Sequence, residues 1–194
     1  SGDELEISEE NDGIMELAVD APVGTDIRDY LNLNDQIIDV DLTPNRGDCL
    51  SIAGLAREAG VLNSVDVQGP ELKELAPQIE DIFPVKISAP EHCPRFLGRV
   101  LNNINVNASS PLWLQEKLRR CGVRSIDPVV DVTNYILLEM GQPMHAYDLN
   151  KLNGSIIVRM ASQGENLTLL DGQKVELDQE TLVIADNEGV LGLA

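Results

Sequence analysis

The spacing of apolar residues changes several times along the chain, and each change predicts an element. The segment 24–33 (G-T-D-I-R-D-Y-L-N-L) offers one short helical turn. Residues 36–42 (Q-I-I-D-V-D-L) have the composition of a strand, closed by the turn T-P-N-R-G. A helix is expected next, with Asp48 as N-cap, Leu50, Ala53, Ala56 and Ala59 at helical spacing beside Leu55, and Gly60 at its end. An amphipathic helix of this kind is expected to cover a sheet.

Residues 66–84, rich in Pro, Glu and Asp and without sustained periodicity, read as a linker between a partial unit at 21–65 and a larger one at 85–194. Strands are expected at 83–88 and 96–104, separated by A-P-E-H-C-P. Ser109-Ser110-Pro111 opens a helix, with Ser as cap and Pro at its first position, and Gly122 closes it. Asp127, Pro128 and Gly141 delimit a second helix, on which Val130, Asn134, Leu137 and Leu138 share a face. From Ser155 the period shortens to two. I-I-V-R-M, N-L-T-L-L, a D-G turn at Asp171-Gly172, K-V-E-L and T-L-V-I-A form an antiparallel block, and Asp186–Gly189 turns into V-L-G-L-A. The expected class is α+β, a sandwich of mixed and antiparallel strands with a few packed helices.

A length of 194 residues (21.2 kDa) holds one ordinary domain, or one and part of another. With 43% hydrophobic and 24% charged residues, the composition excludes disordered and collagen-like classes. Aromatics are 3%, so the core rests on Leu, Ile and Val, and a platform stacking several bases is disfavoured. The net charge of -19 repels phosphate backbones, so any contact with nucleic acid has to be local or shared with other parts of an assembly. Lys117, Arg119, Arg120 and Arg124 form one basic cluster, which serves equally as such a patch or as cations complementing a helix C-terminus. Residues 1–20 are acidic and read as a tail or exit segment. With the apolar strand at residues 190–194, they suggest a piece of a longer protein. No apolar run is long enough to span a membrane, and no signal pattern is present. Cys49, Cys93 and Cys121 lack C-x-x-C spacing and are expected to be buried thiols of a reducing, cytoplasmic compartment. His92, Cys93 and His145 are too few for a tetrahedral metal site, so no metal is expected.

Nucleotide and hydrolase signatures are absent: there is no G-x-x-x-x-G-K-[ST], G-x-G-x-x-G, H-E-x-x-H or G-x-S-x-G. The stretch Arg124–Asp148 sets polar side chains among apolar ones. Asn134, on the apolar face of its helix, has to find hydrogen-bond partners or destabilise the fold by about 1 to 3 kcal/mol. Three readings stand open. Asn134 bonds loop backbone while His145 caps the M-H-A-Y-D loop; or Thr133, Asn134 and His145 line a ligand pocket with Arg124 supplying charge; or His145 is a general base, although no nucleophile is identifiable as its partner. Asp148 either orients His145 or begins a turn, and the turn is favoured. Glu139 reads as surface. Arg46 pairs with Asp48 or Asp41, or reaches a partner domain.

D-L-T-P-N-R-G-D-C-L at 41–50, P-L-W-L-Q-E-K-L-R-R-C-G-V-R-S-I-D at 111–127, V-V-D-V-T-N-Y at 129–135 and L-E-M-G-Q-P-M-H-A-Y-D at 138–148 resemble the β subunit of bacterial phenylalanyl-tRNA synthetase. The likeness runs from about Gly13 to the last residue. It implies a B3/B4 module, the editing part of that enzyme, which hydrolyses tyrosine wrongly esterified to tRNA(Phe). It also implies that residues 1–20 leave an upstream OB-type tRNA-binding domain. By the same resemblance Arg124, Thr133, Asn134 and His145 line the editing site. Arg124 and His145 would meet the tRNA 3′ end or position water, and Thr133 and Asn134 would shape the aminoacyl pocket; the catalytic residue stays unassigned. A Gly-rich turn and a Glu that reads the tyrosyl hydroxyl would lie beyond position 194, so these 194 residues alone are expected to be inactive. The implied partners are the α subunit, in an α2β2 tetramer, and the 3′ end of tRNA(Phe). ATP and Mg²⁺ would be used by the whole enzyme at the α subunit, and no cofactor is expected here. The alternatives are a scaffold for subunit assembly and a free-standing protein that edits in trans.

Overall fold

The computed structural model describes Gly2, Ile7 and residues 13–194, so much of the acidic start lies outside the described residues. The chain forms two compact units that interleave in sequence. One holds residues 1–71 and 105–146, the other 72–104 and 147–194.

The first unit is helical: α1 (Ile27–Tyr30), α2 (Ile52–Asn63), α3 (Leu112–Arg120) and α4 (Pro128–Met140). Leu114 and Leu118 form the buried stripe of α3, and α4 packs against both α3 and α2. The end of α3 is tied to the segment after α1, because Arg120 pairs with Asp35 (2.7 Å) and donates to the Asn32 carbonyl (2.5 Å). Three expectations for α2 change. Its cap is Ser51, whose hydroxyl accepts from the Gly54 amide at 3.1 Å, whereas Asp48 lies in a preceding 3-10 turn. The helix runs through Gly60 to Asn63. Gly60 does not stop it; it lets Val65 and Val67 fold back against the helix where a Cβ would collide. And α2 packs on a helix, not on a sheet.

The other unit carries the β structure. Strands β1 (Val85–Ile87), β2 (Ile156–Met160), β5 (Leu182–Ala185) and β6 (Val190–Leu193) form one sheet in the order β1-β2-β5-β6. β1 is parallel to β2, and the remaining pairs are antiparallel. Strands β3 (Glu165–Thr168) and β4 (Lys174–Leu177) make a separate hairpin, closed by the expected D-G turn. Central strands are sealed on both sides, with Val158, Val183 and Ala185 fully buried and Ile184 nearly so. The hairpin packs through Leu167, Val175 and Leu177 against Ala161, Val183 and Val190. Two polar clamps finish the unit. Asp186 accepts from the backbone amides of Asn153, Glu188 and Gly189, which fixes the β5–β6 turn. Arg159 grips Glu165 with two hydrogen bonds (2.8 and 2.6 Å), holding that carboxyl down to a pKa of about 2.

The α+β class is observed, and each strand expected after Ser155 is present. Two other expected strands are not. Residues 36–42 form no strand, with Ile37 and Ile38 67% and 83% exposed, and no strand pairs with them among the described residues. Residues 96–104 behave alike, with Leu97 and Leu101 exposed. Strand-like composition becomes a strand only where a neighbouring edge satisfies its backbone. Ile184→Ala should therefore lower the unfolding free energy by about 2–5 kcal/mol, while Ile38→Ala should stay within about 0.5 kcal/mol. Equal shifts in urea denaturation would contradict this placement of the core.

Candidate functional site

Of the region singled out by sequence, Arg124–Ala146 lies in the helical unit and Tyr147 and Asp148 in the other; α4 organises the helical part. The start of α4 follows from local chemistry: the Asp127 carboxylate accepts from the Val129 and Val130 amides (2.8 and 3.1 Å), and Pro128 presets the first turn. Its end follows from Gly141, which adopts φ +73 and packs against Ser51, so a Cβ there would crowd the Ser51 hydroxyl at 3.1 Å. Thirteen residues span about 20 Å.

One turn past the cap, Asp131 is completely buried. Both its oxygens are used: Oδ2 accepts from the hydroxyls of Ser110 and Ser125, each at 2.5 Å, and Oδ1 accepts from the Ile126 amide at 2.8 Å. Burial pushes this carboxyl up, but the three donors outweigh it and hold the group below the ordinary Asp value. The arrangement explains why Ser110 does not cap α3. Its hydroxyl is spent on Asp131, and Pro111 occupies the cap position without a side-chain bond.

Arg124 sits in the loop that enters α4. On its N-terminal side the Val123 amide donates to the Leu118 carbonyl (2.9 Å), and on its C-terminal side Ser125 and Ile126 are held by Asp131. Its own side chain is exposed and has no hydrogen bond or ion pair among the described residues. Thr133, in the middle of α4, is half-buried and returns its hydroxyl to the Val130 carbonyl at 2.7 Å. Asn134 corrects an expectation. It is half-buried, yet its amide makes no hydrogen bond to any described residue, because partial exposure leaves its polar atoms open to solvent or a ligand. His145 is exposed on the loop that leaves α4. The four residues thus belong to one helix and its two flanking loops, with Arg124 before its start and His145 after its end, and no hydrogen bond joins any two of them among the described residues. A cavity of about 310 Å³ in this unit is lined by Asp48, Leu50, Arg57, Leu137 and Met140, among others, and by none of the four.

The remaining candidates resolve into structural roles. Arg119 pairs with Glu116 at 2.8 Å, Arg120 with Asp35, and the Lys117 ammonium lies 5.3 Å from the centre of the Tyr135 ring, itself edge-on to Trp113. The basic cluster is therefore largely spent inside the protein. Arg46 bridges Asp48 (3.2 Å) and Glu58 (2.6 Å), not Asp41. Asp148 accepts from the Asn150 amide and starts a 3-10 turn, as the turn reading expects. Glu139 is partly covered. Cys49 is buried, but Cys93 is half-buried and Cys121 exposed at the end of α3, contrary to the expectation of three buried thiols. Among the described residues no metal-binding group occurs, and no helix is long and apolar enough to cross a membrane.

Asp131 was missed by sequence reading. The available signal was a carboxylate inside V-V-D-V, at helical spacing from the cap and flanked by apolar neighbours, with Ser110 and Ser125 within reach as donors.

Helices α3 and α4 and strands β2–β6 fall within a known domain. Residues 92–194 match the B3/4 domain family, and the chain belongs to that family. Beyond the domain, it is similar to the phenylalanine–tRNA ligase β subunit of Pectobacterium atrosepticum, with 61% identity over 190 residues, covering 98% of this chain and 24% of that protein. The corresponding subunits of Vibrio parahaemolyticus (62% over 191 residues, 98% and 24%) and Hahella chejuensis (58% over 194 residues, 100% and 25%) align equally completely. The chain spans about a quarter of the length of these curated relatives.

Asp131→Ala should lower stability by roughly 3 kcal/mol, since two hydroxyls and an amide lose a charged acceptor. The sign with pH follows from the depressed pKa. The contribution of Asp131 is present above its unfolded value of about 3.9 and is lost as pH falls through the lower folded value. The variant's deficit in urea denaturation should accordingly be full at pH 7 and shrink on strong acidification; a deficit that grows towards acid would contradict the assignment.

Proposed function

We propose that this chain is the part of a phenylalanine–tRNA ligase β subunit that supplies one wall of an editing site for tyrosyl-tRNA(Phe). The observation that supports the reading most is Asn134. Its half-buried amide, unused by any described residue, follows Thr133 on α4, downstream of Arg124, whose side chain has no partner among the described residues, and upstream of His145. A half-buried amide that no described residue uses is what a ligand site offers.

The chemistry needs such a site because a pocket shaped for phenylalanine discriminates weakly against an added hydroxyl, so a second site has to remove the wrong product. In this reading Thr133 and Asn134 contact the aminoacyl group. Arg124 binds phosphate of the tRNA 3′ end and His145 places the attacking water, with no general base assigned. The resemblance puts the Gly-rich turn and the Glu that reads the tyrosyl hydroxyl outside these 194 residues, so the chain alone neither edits nor charges tRNA. The α subunit is the partner that binds ATP, Mg²⁺ and phenylalanine, and the whole enzyme works in the cytoplasm. The negative charge of the chain agrees with a part that meets only the tRNA 3′ end while other parts grip the nucleic acid.

The test is release of tyrosine from tyrosyl-tRNA(Phe) by the complete synthetase, its His145→Ala variant and the 194-residue chain. The complete enzyme should deacylate, the variant should lose about 100-fold or more while still charging phenylalanine, and the isolated chain should be silent. Deacylation undiminished in His145→Ala would favour a scaffold role for this region.

A further inference from the structure

The buried carboxylate at the base of the site has a placement that packing alone does not require. Replacing a paired buried charge with apolar groups is often neutral or stabilising. Yet Asp131 keeps three donors, and two of them, the Ser125 hydroxyl and the Ile126 amide, belong to the residues directly following Arg124. The third, Ser110, precedes α3 and lies in a different segment. The Arg124 side chain has no partner among the described residues, and among them only the backbone around it is held. That backbone is pinned from both directions, by the Val123 amide bonded to the Leu118 carbonyl in the last turn of α3 and by Asp131 on α4. Asp131 also stands two and three residues before Thr133 and Asn134 on the same rigid helix.

We propose that Asp131 is a positioning residue, which acts through Ser125 and Ile126 to fix the loop backbone that carries Arg124 relative to the helix that carries Thr133 and Asn134. The inference rests on the editing reading above and deepens it. It assigns Arg124 to a phosphate of the substrate's 3′ end, with affinity that depends on a preorganised loop. A guanidinium on a loose loop would cost backbone ordering entropy on every binding event; the Asp131 anchor removes that backbone part beforehand. The loss should therefore appear in substrate binding more than in the chemical step.

The two serines separate positioning from stability. Both donate to the same oxygen of Asp131, but only Ser125 adjoins Arg124. In the complete synthetase, Ser125→Ala should raise KM for tyrosyl-tRNA(Phe) deacylation about tenfold, the loss expected for one hydrogen bond to a charged group, with kcat and phenylalanine charging little changed. Ser110→Ala should lower the melting temperature by a similar amount yet leave KM near the parent value. Ser125→Thr, which keeps the hydroxyl, should restore KM and guards against a folding defect in Ser125→Ala. Equal KM effects in the two alanine variants, or none in Ser125→Ala, would overturn the inference. With His145→Ala inactive in deacylation, such a result removes the positioning role alone. If His145→Ala deacylates normally, the editing reading fails and takes the inference with it.

Discussion

One buried charge organises the helical unit. A carboxylate removed from water is costly unless its oxygens are satisfied, and Asp131 is satisfied only when three pieces of chain come together: Ser110 ahead of α3, Ser125 and Ile126 after it, and α4 itself. A displaced loop would leave an unpaired buried anion. The α3–α4 corner is therefore specified by electrostatics as well as by the apolar stripe of Leu114 and Leu118. The same constraint fixes the approach of the chain to α4, where the polar residues of the proposed site begin.

Charge elsewhere follows a related economy. The protein carries 14 Lys and Arg against 33 Asp and Glu, so a cation near an acid tends to be captured. Arg46, Arg119, Arg120 and Arg159 are each held by carboxylates that close a turn, a helix end or a hairpin. Arg124, like Arg57, Arg95 and Arg99, has no such partner among the described residues.

Legibility in the sequence followed the range of the interactions involved. The β block after Ser155 and the ends of α4 are written in local signals: period-two alternation, a D-G turn, an Asp-Pro cap and a glycine C-cap. The strands expected at 36–42 and 96–104 failed because strand formation depends on a neighbour that local composition does not reveal. The start of α2 was displaced from Asp48 to Ser51 because Arg46 claims the Asp48 carboxylate, leaving the serine to cap. Ser110 was misread as a cap for the same kind of reason, since its true partner is 21 residues away. At the candidate site, residue types pointed to Asn134 as needing a partner, while the structure leaves its amide unspent. The buried anchor beside it went unseen, because a lone Asp in a helix ordinarily faces water.

The most direct check on the central role of Asp131 is amide hydrogen exchange at Ile126, which lies outside any helix or strand. The Asp131 bond predicts slow exchange at that amide, comparable to the interior of α4, and loss of protection in Asp131→Ala. Exchange as fast as an exposed loop in the unmodified protein would contradict the account.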